Sequence, residues 1–402
     1  MSNFNLTLER SANMLKFTLK GRIDSVNHAE FSSALDSLRS KYPESPLMFD
    51  FRELKYISSA GLRVLLSLRK KAGVPIKIIN VSRDIAEIFT TTGLSQFFDI
   101  SMVPEQIDES DGELIRSAGE IEFYRLSNDT LLKLYNSKGG RKESREEAER
   151  EINFAKAAFL SGVPALIPYN TAVFKDRYGV IYEFSKAKNF SSLMQFQQWR
   201  LEEYAAEMGH LLKVIHSCSP VDKTILPETS EKFREYAENI KHILNSDEIK
   251  KLLDIISVIP KADTIVYGKF HPAEVFMHNN EAIVINMSGI STGNPVYDLG
   301  MTYMILIIEA KRFSKHLTGL DAVQSKKVWD SMIRSYFNTK DENIISSHEK
   351  KILACGLLCA ALFPAMIPMS KEDIEISAAY ARQVLFPTYE RVKKLLSGAD
   401  IK

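Results

Sequence analysis

The fold of the N-terminal part is decided by one stretch, Tyr56-Ile-Ser58-Ser59-Ala-Gly61-Leu-Arg63-Val-Leu-Leu66. An extended run that ends at Phe51 comes before it, and an amphipathic pattern begins directly after the two serines. The serines are therefore predicted to lie where a strand turns into a helix, and either of them is a candidate N-cap. The free backbone N–H groups and the positive end of the helix dipole at such a junction favour an anion, including a phosphate on the serine itself.

The helix predicted after this junction has one polar stripe. Ser59, Arg63, Ser67 and Lys70 follow helical spacing, whereas the leucines between them can face a sheet. A phosphate on Ser59 would meet Arg63 one turn further along the helix. A serine that only caps the helix fits the same pattern, so the spacing alone leaves both interpretations open.

The motifs around the junction resemble those of a known domain family. They are Leu19-Lys-Gly-Arg-Ile-Asp24, Phe49-Asp-Phe51, Ile57-Ser-Ser-Ala-Gly-Leu-Arg63, Ile85-Ala-Glu-Ile-Phe89 and Gly93-Leu94. Together they make the first 105 residues similar to a STAS domain of the anti-sigma-factor antagonist type. The resemblance implies that Ser59 is the phosphoacceptor of a partner-switching kinase and that Ser58, Arg63 and Ser67 contact the partner. Ser58 replaces the aspartate that usually precedes the phosphoacceptor in this family.

Length and composition indicate an ordinary globular protein with two or three domains. The chain has 402 residues, of which 45% are hydrophobic and 26% are charged, and its net charge is +1. This balance gives no reason to expect nucleic acid or an anionic membrane as a partner.

Cysteine spacing and hydropathy favour a cytoplasmic protein without a metal site. The three cysteines, Cys218, Cys355 and Cys359, follow no metal-binding or redox spacing. The N-terminus lacks the pattern of a signal peptide. The longest apolar region, residues 352–369, is interrupted by Pro364 and predicts a buried helix with its turn instead of a membrane span.

Alternating strands and helices predict an α/β domain over residues 1–101, with a mixed sheet and helices packed on one face. Its elements are expected at residues 4–8, 15–19, 29–42, 47–51, 59–71, 76–79 and 83–91. Residues 102–115 are acidic and poor in large apolar side chains, and they are predicted to be a linker.

A different pattern begins after the linker. A hairpin over residues 120–135 places Lys133 inside a strong strand, and a helix over residues 145–160 carries Glu151. With a hinge at Glu183, these features resemble the small lobe of the aminoglycoside/choline phosphotransferase branch of the protein-kinase-like fold. The resemblance implies an α+β bilobal domain with a small lobe at 116–186 and a helical large lobe at 187–402. It also implies that nucleotide, if it binds, contacts Lys133, Glu151 and Glu183.

The catalytic segment of that family is recognisable but altered. The family reads His-Gly-Asp-Phe-His-Pro-Gly-Asn followed by Val-Ile-Asp, and this chain reads Tyr-Gly-Lys269-Phe-His-Pro-Ala-Glu274 and Val-Ile-Asn286. A cationic lysine cannot accept the proton of a substrate hydroxyl, and a neutral amide replaces the carboxylate that would bind magnesium. No catalytic position is intact at Lys269, Glu274 or Asn286, so we predict a pseudokinase without a bound metal.

Three functions are compatible with these residues. The first is a regulatory protein whose STAS domain exchanges partners with an anti-sigma factor or a serine kinase. The second is an active or atypical small-molecule phosphotransferase regulated by the STAS domain. The third is a scaffold whose cleft binds a nucleotide or small metabolite, including ATP without metal if Lys269 occupies the space of the missing cation. An ion pair between Lys269 and Glu274 in an empty cleft is equally compatible.

Overall fold

The structure of the protein, a computed structural model, describes residues 4–11, 14–39, 41–42, 45–73, 76–118, 121–127, 129–136, 140–183, 188–399 and 401. The chain divides into two compact units. The first contains the residues up to Ser110 together with Asn170–Tyr178, and the second contains Asp111–Tyr169 and the residues from Gly179 onward.

The strands, in chain order, are β1 Phe4–Ser11, β2 Met14–Ile23, β3 Leu47–Ile57, β4 Ile76–Val81, β5 Asp99–Met102, β6 Glu105–Gln106, β7 Glu113–Ala118, β8 Ile121–Ser127, β9 Thr130–Tyr135, β10 Asn170–Phe174, β11 Arg177–Glu183, β12 Lys188–Asn189, β13 Thr264–Val266, β14 Val275–His278, β15 Glu281–Val284 and β16 Ser291–Gly293. The α-helices are α1 His28–Arg39, α2 Ser59–Ala72, α3 Arg83–Thr91, α4 Gly140–Leu160, α5 Phe190–Phe196, α6 Leu201–Ser217, α7 Thr229–Asn239, α8 Ser246–Val258, α9 Val296–Tyr303, α10 Lys315–Thr318, α11 Ala322–Phe337, α12 Glu342–Leu362, α13 Lys371–Tyr380 and α14 Tyr389–Ser397.

The first unit is built on a mixed sheet in the order β1-β2-β3-β4-β5, as the sequence predicts. Strands β1 and β2 are antiparallel, and the pairs from β2 to β5 are parallel. Helices α1, α2 and α3 bury Phe31, Leu65 and Phe89 in the same core as the sheet. Burial of these apolar side chains supplies the main stabilisation of the unit.

Strand β3 is longer than predicted. The charged residues after Phe51 suggest a turn, but the strand continues to Ile57. The physical reason is that Leu54 and Ile57 are buried between the charged positions and pair with β2, where Gly21 faces Leu54 and Ile23 faces Ile57. Tertiary burial of these two apolar residues therefore outweighs local charge.

The segment predicted as a linker contains secondary structure. Strand β6 pairs with β10 in parallel, with Glu105 opposite Ala172. The side-chain amide of Asn170 donates to the backbone oxygen of Val103 at 3.1 Å and to the Glu105 carboxylate at 3.2 Å. These contacts lie within the first unit.

The second unit begins with an antiparallel sheet in which β7, β8, β9 and β11 are neighbours in that order. The predicted hairpin is confirmed as β8 and β9. In β11, a Cβ on Gly179 would lie 2.4 Å from the backbone oxygen of Lys133, so only glycine permits this close approach of the strands. Helix α4 is longer than predicted, since it begins at Gly140.

Helices form most of the remaining second unit. The apolar pattern of the sequence predicts helices at residues 301–313 and 374–396, and both are interrupted in the structure. The predicted helix at residues 301–313 becomes π-helical at Met304–Ile308 and again at Ala310–Ser314. The predicted helix at residues 374–396 is divided into α13 and α14 by a π-helical turn and a 3-10 turn that contains Pro387, which has no N–H to continue a helix. Helix α12 is buried as predicted, and no helix among the described residues is long and apolar enough to cross a membrane.

Candidate functional site

The first candidate site is the N-terminus of α2. Ser58 is the N-cap, with extended backbone angles, and its hydroxyl accepts a hydrogen bond from the N–H of Gly61 at 3.3 Å. Ser59 is the first helical residue and is exposed. The Nε of Arg63 donates to the backbone oxygen of Ser59 at 3.3 Å, so the guanidinium lies beside the first turn.

Packing against two strands fixes the position of this helix end. The N–H of Ser58 donates to the backbone oxygen of Ile23 at 2.8 Å. A Cβ on Gly61 would lie 2.6 Å from Cγ2 of Ile23 and 2.9 Å from Cγ1 of Ile57. Residue 61 must therefore be glycine for the helix to start this close to β2 and β3.

The polar stripe of α2 faces solvent. Ser59, Arg63, Ser67 and Lys70 are all exposed, and the last turn of α2 is basic. A phosphate on the Ser59 hydroxyl would lie at the positive end of the helix dipole and one turn from a guanidinium. The arrangement can thus accept a phosphate without desolvating it.

The second candidate site is a buried polar cluster in the second unit, with Lys133 at its centre. Lys133 is 0% exposed, and its Nζ lies 2.9 Å from Oε2 of Glu151. The same ammonium donates to Oδ1 of Asn286 at 2.7 Å and lies 5.0 Å from the centre of the Tyr135 ring. A strand lysine is usually solvated, whereas this one is enclosed by protein groups.

Glu151 is held by more than its ion pair. Its Oε1 accepts the hydroxyl of Tyr182 at 2.8 Å and the N–H of Met287 at 2.9 Å. Burial and then the charge of Glu151 raise the pKa of the Tyr182 phenol well above its ordinary value, so this hydroxyl remains a hydrogen-bond donor. The Tyr182 hydroxyl also lies 2.7 Å from the backbone oxygen of Ile285, next to Asn286.

Both the oxygen and the nitrogen of the Asn286 amide have hydrogen-bond partners. Its Oδ1 accepts from Lys133 and from the Ser288 hydroxyl, the latter at 2.9 Å. Its Nδ2 donates to Oε2 of Glu274 at 3.0 Å, and the Tyr267 hydroxyl lies 3.4 Å from the same carboxylate oxygen. Burial and then the charge of Glu274 raise the pKa of Tyr267 well above its ordinary value.

A buried carboxylate fixes the position of the loop that contains Lys269. Asp298 is 0% exposed and accepts the N–H groups of Tyr267 and Gly268, each at 2.6 Å. Nε2 of His216 lies 3.0 Å from Asp298, and its Nδ1 lies 2.8 Å from the Tyr336 hydroxyl. Since a carboxylate only accepts, Nε2 of His216 is the donor in this contact. His216 is thus a core residue whose two ring nitrogens both have hydrogen-bond partners.

The side-chain oxygen of Asn286 does not fit a magnesium ion. The only candidate ligand oxygen of Asn286 already accepts from an ammonium, and a cation placed there would be repelled by Lys133. In the described residues, no group of three or more His, Cys, Asp or Glu could hold a metal ion. The cluster can hold the loops together, but it presents no carboxylate to a substrate hydroxyl at position 269.

Other predicted residues are placed differently or remain undescribed. Lys269 is half-buried and lines a cavity. Glu274 contacts Asn286 and Tyr267. Glu183 ends β11, but its side chain and residues 184–187, which follow it at the predicted hinge, lie outside the described residues.

Sequence reasoning missed three contributors to the cluster: Tyr182, Tyr267 and Ser288. Tyr182 and Tyr267 sit in strongly apolar segments, where a phenol is indistinguishable from core packing. Ser288 is two residues beyond Asn286, and this short spacing is typical of a side chain that bonds locally. That spacing could have identified Ser288.

Comparisons with known proteins find a matching family model for the N-terminal part and similar solved structures. A family model for the STAS domain matches residues 5–107. Among solved structures, the chain is similar to a choline/ethanolamine kinase family protein from Mesorhizobium loti, with 12% identity over 71% of this chain and 92% of that chain, and a TM-score of 0.46. It is also similar to an aminoglycoside phosphotransferase from Streptomyces rimosus, with 10% identity over 79% of this chain and 99% of that chain, and a TM-score of 0.37.

The N-terminal part is similar to an anti-sigma factor antagonist from Mycobacterium paratuberculosis, with 19% identity over 24% of this chain and 84% of that chain, and a TM-score of 0.23. The comparison with curated proteins finds no match. The fold prediction is confirmed: the α/β unit that the STAS family model matches is followed by an α+β unit with a lysine strand, a glutamate helix and a helical remainder.

Proposed function

We propose that the protein is a regulatory signalling protein in which a STAS switch, with Ser59 as phosphoacceptor, is joined to a kinase-like unit that transfers no phosphate. It acts through protein contacts. The main support for an inactive kinase-like unit is the buried hydrogen bond from Lys133 to Asn286, because this bond occupies the lysine that would hold nucleotide phosphates.

The chemistry of the cleft supports the absence of phosphoryl transfer. The position of the general base holds Lys269, and the position of the metal carboxylate holds Asn286. Loss of a general base typically costs a factor of about 10²–10⁴ in rate, and loss of the electrostatic stabilisation costs several kcal/mol more. Glu274 does not restore either role, because its carboxylate faces the amide of Asn286.

The surface of α2 supports the switch. Ser59 is exposed, whereas Ser58 is committed to capping and Ser67 lies two turns from the helix end. Phosphate on Ser59 changes the charge of an exposed face by about −2, which changes the partners that this face can bind. We propose an anti-sigma factor or a related serine kinase as that partner, in keeping with the STAS family match.

Phosphorylation tests the switch. The purified chain is incubated with a serine kinase of the anti-sigma-factor type and ATP, and the modified residue is identified by mass spectrometry. We expect phosphate on Ser59, none in Ser59→Ala, and unchanged incorporation in the matched control Ser67→Ala. Binding of the partner should weaken in Ser59→Asp. Full incorporation in Ser59→Ala, or partner binding that is unchanged in Ser59→Asp, would count against the switch.

Turnover and binding assays test the inactive cleft. The wild-type chain should release no ADP from ATP with magnesium or manganese, with or without candidate acceptors, and ATP should not raise its melting temperature with or without magnesium. Steady ATP turnover that disappears in Lys133→Ala would establish the alternative, an atypical phosphotransferase regulated by a STAS domain. A rise in melting temperature with metal-free ATP alone would establish a nucleotide-binding scaffold.

A further inference from the structure

The second unit contains a cavity that the buried cluster does not use. Its enclosed part has a volume of about 60 Å³, and the cavity opens to solvent at its mouth. Two lysines, Lys232 and Lys269, line it, but most of its wall is apolar. The apolar residues include Phe233, Ile305, Phe363 and Met366.

Lys232 is a largely enclosed cation without an anionic partner. It projects from α7, and its Nζ donates to the backbone oxygen of Gly289 at 2.6 Å. Within the described chain, no carboxylate lies at ion-pair distance from this ammonium. Buried charges in proteins are normally paired. Lys232 is an exception, because the carbonyl holds one of its three donors but its charge is left unbalanced.

A second positive charge faces the same cavity. Burial, and then the charge of Lys269, lower the pKa of Lys232 to about 8. Lys269 follows Gly268, whose backbone packs directly on Gly289, the residue that holds Lys232. An anion in this space would be attracted by both ammonium groups, and it would balance the charge of Lys232.

The apolar wall is built on irregular helical backbone. Ile305 belongs to the π-helical segment Met304–Ile308, and Phe363 begins a 3-10 turn at the end of α12. Short π-helical segments are frequent at functional sites, because they displace side chains from regular helical positions. An apolar surface of this kind, beside two cations, matches a ligand with a charged head and an apolar body.

We propose that this cavity binds a small amphipathic anion, with a carboxylate or phosphate monoester head between Lys232 and Lys269 and an apolar body against Phe233, Ile305, Phe363 and Met366. The ligand is bound and not chemically changed, because no general base stands at position 269. This inference goes beyond the proposed function, since it does not depend on phosphorylation of Ser59.

Calorimetry on the full chain at pH 7 tests the proposed anion binding, with octanoate, octyl phosphate, octanol and octylamine as probes. We expect saturable binding of at least one anion, at least tenfold weaker binding of octanol, and no binding of octylamine. A preference between the two anions identifies the head group. This comparison uses only the wild-type chain, so it stands even if a variant fails to fold.

Variants then test whether each lysine contributes to binding of the anion. Lys232→Met and Lys269→Met should each weaken binding of the preferred anion at least tenfold, while Lys232→Arg retains most of it. The matched control Lys241→Met, at an exposed lysine just after the same helix, should bind like the wild type. Equal affinity for octanol and the anions, unchanged affinity in Lys232→Met, or no saturable binding of either anion would overturn the proposal. None of these outcomes depends on the phosphorylation or turnover assays, so the two proposals can fail separately.

Discussion

The ammonium of Lys133 donates a 2.7 Å hydrogen bond to the side-chain amide oxygen of Asn286, and both side chains are buried. The two residues are 153 positions apart in the chain. With Glu151 as its second partner, the lysine neutralises a buried carboxylate and joins the sheet of the second unit to the loop after β15. A lysine that would hold nucleotide in an active kinase therefore serves the stability of this unit.

The first prediction follows from that role. Lys133→Met leaves Glu151 buried without its cation, so we expect the free energy of unfolding of the second unit to fall by about 3–5 kcal/mol. Both tryptophans, Trp199 and Trp329, belong to the second unit, so their fluorescence in a urea titration reports its unfolding. Lys241→Met is the exposed control and should change the value by less than about 0.5 kcal/mol.

A companion variant separates charge from packing in this prediction. Lys133→Met combined with Glu151→Gln removes the unpaired charge, so it should recover part of the lost stability. If Lys133→Met alone costs less than about 1 kcal/mol, the ion pair does not hold the unit together and the structural role assigned to Lys133 is wrong.

The second prediction concerns the amide at position 286. Asn286→Asp replaces the donor that faces Glu274 at 3.0 Å with a second carboxylate, although Lys133 stays close. Two adjacent carboxylates raise the pKa of one of them, so the resulting penalty grows as the pH rises from the ordinary carboxyl pKa to the raised one and is complete above it. We therefore expect the variant to be destabilised by about 1–3 kcal/mol at pH 8 and by less at pH 5.

Tryptophan fluorescence in urea at the two pH values measures this difference. The double variant Asn286→Asp with Glu274→Gln restores an N–H donor between the two positions and should lose the pH dependence. A penalty of the same size at both pH values would show that repulsion between the carboxylates is not its cause.

The third prediction distinguishes the two serines at the start of α2. Ser58→Ala removes the hydroxyl that accepts from Gly61, so we expect the opening free energy of the first turn of α2 to fall by about 1 kcal/mol. Ser59→Ala removes an exposed hydroxyl and should change it by less than about 0.5 kcal/mol. Hydrogen exchange of peptides from α2, read by mass spectrometry, measures both changes. A larger effect of Ser59→Ala than of Ser58→Ala would mean that Ser59 is the cap and Ser58 the available hydroxyl.

The fourth prediction gives the cavity a pH dependence. The charged groups that act on Lys232 are Lys269, Asp298, Arg150 and Glu235, and with burial they leave its pKa at about 8. An anion binds best to the charged ammonium, so affinity for the preferred anion should fall about tenfold between pH 7 and pH 9. Lys232→Arg keeps its charge at both values and should remove this dependence. An equal fall in the arginine variant would assign the titration to another group.

The same lowered pKa has an effect on stability. A lysine whose folded-state pKa lies below its unfolded value binds its proton more weakly in the folded state. The cost of keeping Lys232 charged is therefore fully present below about pH 8. It is relieved as the pH rises toward the ordinary lysine pKa of 10.5, so the free energy of unfolding should rise between these two pH values.

Much of the fold is readable from the residues in order. Alternation in β1 and β2 and the capping serine of α2 predict the first sheet, and the pattern around Lys133 predicts the hairpin of the second unit. Boundaries are less well predicted: β3 extends through charged residues because Leu54 and Ile57 are buried. Breaks within helices are also missed, although Pro387 gives a signal for one of them.

The sequence by itself determined that a lysine stands at position 269 and an asparagine at position 286, and with the family resemblance these residue types predict the loss of a general base and of a metal carboxylate. Only the tertiary structure decided which groups surround these positions. It encloses Lys133 between Glu151 and Asn286, and it brings Lys232 of α7 to the same cavity as Lys269. The reason is that local patterns record the periodicity of burial, whereas contacts between residues far apart in the chain depend on how whole elements pack.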